Sequence, residues 1–141
     1  MTAVVDASAL AAFLVHNKIG PAVAAAMMPH SQDLHVPHLA VVETAFVLRG
    51  LVRGGQLTAA RAERALADLA GFPARRWPHE PLLGRAWQLR DSISAYDATY
   101  VALAEALGAA LITQDARLAT AVQANTKVVV TLVGASSGDP G

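Results

Sequence analysis

Strand-like and helix-like segments alternate along the chain, which predicts an α/β fold on a central, mostly parallel sheet covered on both faces. Three observations carry that prediction. Short, largely apolar runs such as Ala3-Val4-Val5 and Ala109 to Thr113 read as buried strands. Longer apolar-periodic stretches separate them. Gly54-Gly55, Gly71 and Gly108 fall where those stretches must stop.

The elements follow in order. Ala3 to Val5 forms a strand ending at Asp6, and an apolar helix runs from about Ser8 to His16. Pro21 suits the first turn of a second helix reaching Met28. Leu34-His35-Val36 is a short strand stopped by Pro37, and a long helix spans Leu39 to Arg53. Thr58 caps a helix over Ala59 to Leu69. Phe72 to Trp77 is read as a strand and Leu82 to Arg90 as a helix. Ser94 starts a helix that continues to Leu107 and stops at Gly108. The strand Ala109 to Thr113, a helix over Ala116 to Ala124 and a last strand over Val128 to Leu132 complete the pattern. Residues 1–133 are expected to make one domain. The segment 134–141, GASSGDPG, has nothing to bury and is expected to be a disordered tail.

The 141 residues fit a domain with one core, and 54% of them are hydrophobic, above the usual share of roughly 45–50%. That excess predicts a face covered by a second copy or another chain. No apolar run approaches the roughly 18 residues that would cross a bilayer, and no positive segment precedes the first apolar stretch as in a signal peptide. Cysteine is absent, so disulfides and thiolate metal sites are excluded. A cytoplasmic protein is the expectation. Eleven basic residues balance eleven acidic ones. Net charge therefore attracts no nucleic acid, but setting aside four clustered acids leaves eleven bases against seven acids elsewhere.

Those four acids are Asp6, Glu43, Asp97 and Asp115. Asp6 and Asp115 each follow a strand and precede a helix, so each also suits an N-cap. Ser94 and Asp97 approximate a capping box. Glu43 differs, because its helical neighbours Leu39, Ala40, Phe46 and Val47 are all apolar and offer no cation. A carboxylate placed inside an apolar stripe must find a partner or take up a proton. Parallel strands all aim their C-terminal ends at one edge, where ligands usually bind, and this brings Asp6 and Asp115 together. Four crowded carboxylates repel one another unless a cation intervenes, and Mg²⁺ or Mn²⁺ takes such oxygen donors.

The segments VVDASAL, VVETAFVLRGL and SAYDATYVALAEALGAALITQDARL resemble the PIN-domain ribonucleases, specifically the VapC-type toxins of bacterial toxin–antitoxin pairs. The similarity runs to about Leu132. The resemblance implies a PIN-like three-layer α/β/α sandwich and an Mg²⁺- or Mn²⁺-dependent endoribonuclease that cuts structured RNA such as tRNA or rRNA. It implies that Asp6, Glu43, Asp97 and Asp115 form the metal and catalytic site, with the Thr113 hydroxyl beside them and Ser8 assisting Asp6. It also implies a homodimer and a VapB-type antitoxin partner, and products with a 5′-phosphate and a 3′-hydroxyl. Some relatives carry a further acid near the last motif, where Thr113-Gln114 offers none.

Arg49, Arg53 and Arg117 are candidate contacts to RNA phosphates or to a partner chain. His35 and His38 flank Val36-Pro37, a spacing that Pro37 makes unsuitable for a shared zinc ion. Trp77 and Trp87 are read as core or interface anchors. The competing readings are a non-catalytic PIN-like binding module, a housekeeping RNA-processing nuclease and a phosphate-accepting response-regulator domain. The last expects paired acids near the first strand, and Asp6 stands alone.

Overall fold

The computed structural model describes residues 1–134. The expected tail lies outside the described residues from position 135 onward. Gly134 itself adopts φ +79°, and Ile19 occupies the space that a Cβ there would need.

Five strands make one wholly parallel sheet: β1 (Ala3–Val5), β2 (Leu34–Pro37), β3 (Ala74–Trp77), β4 (Ala110–Thr113) and β5 (Val130–Leu132). Their spatial order is β3-β2-β1-β4-β5. The chain thus builds outward from β1 to one edge, then returns to build the other half from β4. The crevice between β1 and β4 is the point where strand order reverses, the usual ligand position in open parallel sheets. Each of those strands is followed within two residues by one of the predicted acids.

Among the described residues seven α-helices cover the sheet: α1 (Ala7–Leu14), α2 (Gly20–Met27), α3 (Leu39–Arg53), α4 (Ala59–Ala70), α5 (Glu80–Gln88), α6 (Ala95–Leu107) and α7 (Ala116–Asn125). The helices α1 to α4 pack on one another, while α6 lies across β1, β2 and β4 with α5 against it. This is the three-layer α/β/α sandwich expected from the sequence. β1 is completely buried, and Leu10, Leu48, Tyr100, Leu103, Leu111 and Ile112 are the largest fully buried side chains around it.

The local stop and start residues act as expected. Pro21 sits in the first turn of α2, Thr58 caps α4 by accepting from Arg61 N–H at 3.2 Å, and Gly108 ends α6 in the left-handed region at φ +62°. Several boundaries differ: β2 includes Pro37, which was expected to stop it, α1 ends at Leu14 before His16, and β5 starts at Val130 after Val128. α5 begins at Glu80, before the expected Leu82, because Pro81 occupies its first turn rather than preceding it. β3 begins at Ala74, and its outer edge is closed by Arg76, whose guanidinium donates to the carbonyls of Leu69, Phe72 and Ala74. Among the described residues no helix is long and apolar enough to cross a membrane.

Candidate active site

Asp6 leaves the end of β1 in an extended conformation and caps α1. Its Oδ1 accepts from Ala9 N–H at 2.9 Å and from the Ser8 hydroxyl at 2.7 Å, and its Oδ2 accepts from the buried Thr113 hydroxyl at the end of β4. Thr113 in turn accepts from Asp115 N–H at 3.0 Å, so one hydroxyl ties the two strand ends together. Asp115 caps α7 through Oδ1, which accepts from the N–H groups of Arg117 and Leu118. Asp97 lies in the first turn of α6, and Ser94 Oγ accepts its N–H at 3.3 Å. The caps by Asp6, Asp115 and Ser94 read from the sequence are therefore formed, whereas among the described residues Asp97 does not accept from Ser94 N–H as a full capping box would. The caps coexist with a shared site, because one carboxylate oxygen suffices for a cap.

Glu43 reaches the same place from α3. Its Oε1 accepts from the Tyr100 hydroxyl at 2.7 Å. Its surroundings correct one expectation. The buried residues of α3 are Ala40, Thr44 and Leu48, whereas Val42 and Phe46 are 68% and 70% exposed. Glu43 is half-buried at the rim of a cavity, not sunk in a core-facing stripe.

Asp6, Glu43, Asp97 and Asp115 all line that one cavity of about 250 Å³, together with Ser8, Phe46 and Tyr100. Three of the acids sit at the N-terminal ends of α1, α6 and α7, where helix dipoles offset part of their charge. The offset is incomplete. Burial, followed by the charges of Asp6, Glu43 and Asp115, pushes the Asp97 carboxyl up to about 6. Burial also raises the Asp6 carboxyl, against the hydrogen bonds from Thr113, Ala9 and Ser8 that favour its charge. Tyr100 is held neutral by burial and by its bond to Glu43. A larger open depression of about 690 Å³ lies at the opposite, N-terminal edge of the sheet beside Thr2, Ala109 and Val128. It contains none of the four clustered acids.

The chain matches the model for the PIN domain over residues 3–129. It belongs to the PIN-domain family. Within that family it resembles VapC-type members over most of its length. It is 43% identical over 127 residues to the VapC ribonuclease Mb0985 of Mycobacterium bovis and to ribonuclease VapC9 of Mycobacterium tuberculosis, covering 90% of this chain and 96% of each relative. Among solved structures, PAE2754 from Pyrobaculum aerophilum is 30% identical and superposes with a TM-score of 0.66 over 92% of this chain and 83% of that one. VapBC2 from Rickettsia felis, solved with a promoter DNA fragment, shares the fold at 10% identity and a TM-score of 0.65, covering 95% of this chain and 100% of that one.

The PIN-domain cavity offers hard oxygen donors and a carboxyl whose ionisation is resisted by burial and by its acidic neighbours, an arrangement that a bound cation would relieve. Among the described residues, no three acidic or histidine side chains stand close enough to chelate one ion unaided. Mg²⁺ is usually held by only one or two carboxylates and keeps several waters, and the cavity offers carboxylates of that kind.

The remaining candidates lie elsewhere. Arg49, Arg53 and Arg117 are exposed and outside the cavity wall. His35 is occupied at both ring nitrogens, Nε2 with Asp33 and Nδ1 accepting from Trp77 Nε1. Trp77 packs on the core, while Trp87 is 67% exposed beneath the Arg90 guanidinium. Sequence reasoning missed Tyr100. Its position three residues after Asp97, on the same face of α6, was the available clue.

Proposed function

We propose that this PIN-domain protein is an Mg²⁺- or Mn²⁺-dependent endoribonuclease and the toxin of a VapBC-type pair. One observation carries the reading: four carboxylates from β1, α3, α6 and the β4–α7 turn converge on a single cavity at the strand-order reversal. Identity of 43% to proteins named as VapC ribonucleases supports RNA as the substrate.

When bound, the divalent ion supplies a lowered pKa for water and neutralises charge on the scissile phosphate. Asp6 and Asp97 are the residues best placed to hold it. Asp6 is fixed by three donors, so it presents its oxygens without reorganisation. Asp97 gains from a cation, since burial and the other three acids oppose its ionisation. Asp115 adds negative charge, and nothing among the described residues donates to its Oδ2. Glu43 keeps Oε1 on Tyr100 and turns Oε2 to orient or deprotonate the attacking water. Attack on phosphorus with loss of the 3′ oxygen leaves a 5′-phosphate and a 3′-hydroxyl.

VapC-type membership makes a VapB-type antitoxin the controlling partner. The exposed pair Leu83 and Trp87, one turn apart on α5, is an apolar face suited to burial in a homodimer. The test is cleavage of total RNA by the purified chain. Fragments should form with Mg²⁺ or Mn²⁺, vanish with EDTA and fail to form with Asp97→Asn. Metal-independent cleavage, or equal cleavage by Asp97→Asn, would overturn the proposal.

A further inference from the structure

One face of α3 has no role in the fold. Val42, Phe46, Arg49 and Arg53 recur at spacings of four, three and four residues, so they form one stripe along the helix, and all four are exposed. The stripe starts at the carboxylate cavity, because Phe46 lines that cavity while remaining 70% exposed. A Phe so exposed gains little from folding. Its ring meets no other aromatic ring and no guanidinium among the described residues, unlike Trp77 and Trp87. Arg49 and Arg53 have no carboxylate partner among the described residues either. Between them Gly50 leaves the helix surface bare, with nothing within 4 Å of where its Cβ would stand. Glycine weakens a helix interior, and its use there fits a surface that something approaches closely.

We infer that Phe46 is a stacking platform for an unpaired base of the RNA substrate beside the scissile phosphate, with Arg49 and Arg53 holding phosphates farther along α3. The inference deepens the nuclease reading above and rests on it. An aromatic face followed by cations is how single-stranded nucleic acid is held, by base stacking and backbone charge. Phe46 to Arg53 spans about 10 Å along the helix axis at 1.5 Å per residue, room for more than one phosphate. A protein partner would also cover Val42 and Phe46, but charge favours RNA. The stripe carries two unpaired guanidiniums and leads directly to the acids that hold the cation for phosphate cleavage. A paired base has its faces stacked inside the duplex, so the platform selects loops and single strands.

The test is fluorescence anisotropy with a labelled single-stranded RNA of about a dozen nucleotides and with the duplex of the same sequence. Binding is measured in the Asp97→Asn background to prevent cleavage. Phe46→Ala should weaken single-strand binding at least about 5-fold, the low end of the about 1–3 kcal/mol per stacked base. It should leave duplex binding unchanged, and Phe46→Trp should restore the single-strand affinity. Unchanged single-strand binding overturns the inference, as does an equal loss on strand and duplex. Dissociation of a dimer by Phe46→Ala with RNA affinity intact assigns the stripe to a protein contact and also overturns it. Cleavage by the chain with native Asp97 is measured in parallel. A chain that cleaves RNA while Phe46→Ala keeps its KM overturns the platform alone, whereas a chain inert in Mg²⁺ removes the nuclease reading and the platform with it.

Discussion

The Tyr100 hydroxyl donates to Glu43 Oε1 at 2.7 Å, joining side chains 57 residues apart. Tyr100 is almost wholly buried in the core, at 1% exposed, yet its hydroxyl emerges into the carboxylate cavity. The core thereby sets the position of a rim carboxylate. Tyr100→Phe keeps the ring and deletes that bond, so it should cost about 1 kcal/mol of stability. Cleavage should fall more than this implies, because a mispositioned group can lose a hundredfold in rate. Comparing chemical denaturation with kcat separates the two. A variant with native kcat would show that Glu43 needs no such support.

Asp97 should destabilise the metal-free protein at neutral pH. Its folded pKa of about 6 lies above the ordinary 3.8. The folded state therefore binds the proton more tightly than the unfolded chain does. The stabilisation this brings is complete below about 4 and is lost as pH rises toward 6. Two units correspond to about 3 kcal/mol, which partial solvent exposure reduces to on the order of 1. Asp97→Asn should raise the melting temperature in EDTA above pH 6, and the gain over the parent chain should shrink by pH 4. A lower melting temperature at pH 7 would contradict the crowding.

Thr113 is the link between the two strand ends. It is fully buried, donates to Asp6 Oδ2 and accepts from Asp115 N–H. Thr113→Val preserves shape but strands both partners, at about 1–3 kcal/mol for each unsatisfied group. Urea unfolding should show the loss, and cleavage should weaken because Asp6 is no longer fixed. Thr113→Ser, which keeps the hydroxyl, should recover most of the activity. Equal behaviour of the Val and Ser variants would remove the hydroxyl from the account.

The strand-end acids were legible because their placement is a matter of topology. Once β1 and β4 are buried parallel strands, Asp6 and Asp115 must emerge at one edge. Asp97 was reachable through its cap, since Ser94 fixes where α6 begins. Glu43 was found from its apolar neighbours, but one of them, Phe46, proved exposed rather than core. Hydrophobic periodicity cannot tell a face that packs inward from one left for a ligand. Tyr100 went unread because a buried aromatic on a core helix looks like packing, and only three-dimensional proximity reveals the hydroxyl's partner. The start of α5 and the closing of the β3 edge by Arg76 depend on local chemistry that pattern alone does not reveal.

Divalent metal should stabilise this protein by mass action, and the response should depend on pH in a defined direction. Binding to the folded state alone adds about 2.7 kcal/mol when free metal stands at 100 times its Kd. The cation must displace a proton from Asp97 wherever that carboxyl is protonated, below about 6. The rise in melting temperature on adding Mg²⁺ or Mn²⁺ should therefore be larger at pH 7.5 than at pH 5.5. The double substitution Asp6→Asn with Asp97→Asn should abolish it at both values, since it removes the fixed carboxylate and one whose charge burial and its neighbours oppose. Calcium, which accepts the same oxygen donors at longer distances, should also raise the melting temperature and so separate binding from catalysis. A metal response that survives the double substitution would place the ion elsewhere on the molecule, and the crowding at Asp97 would then need another explanation.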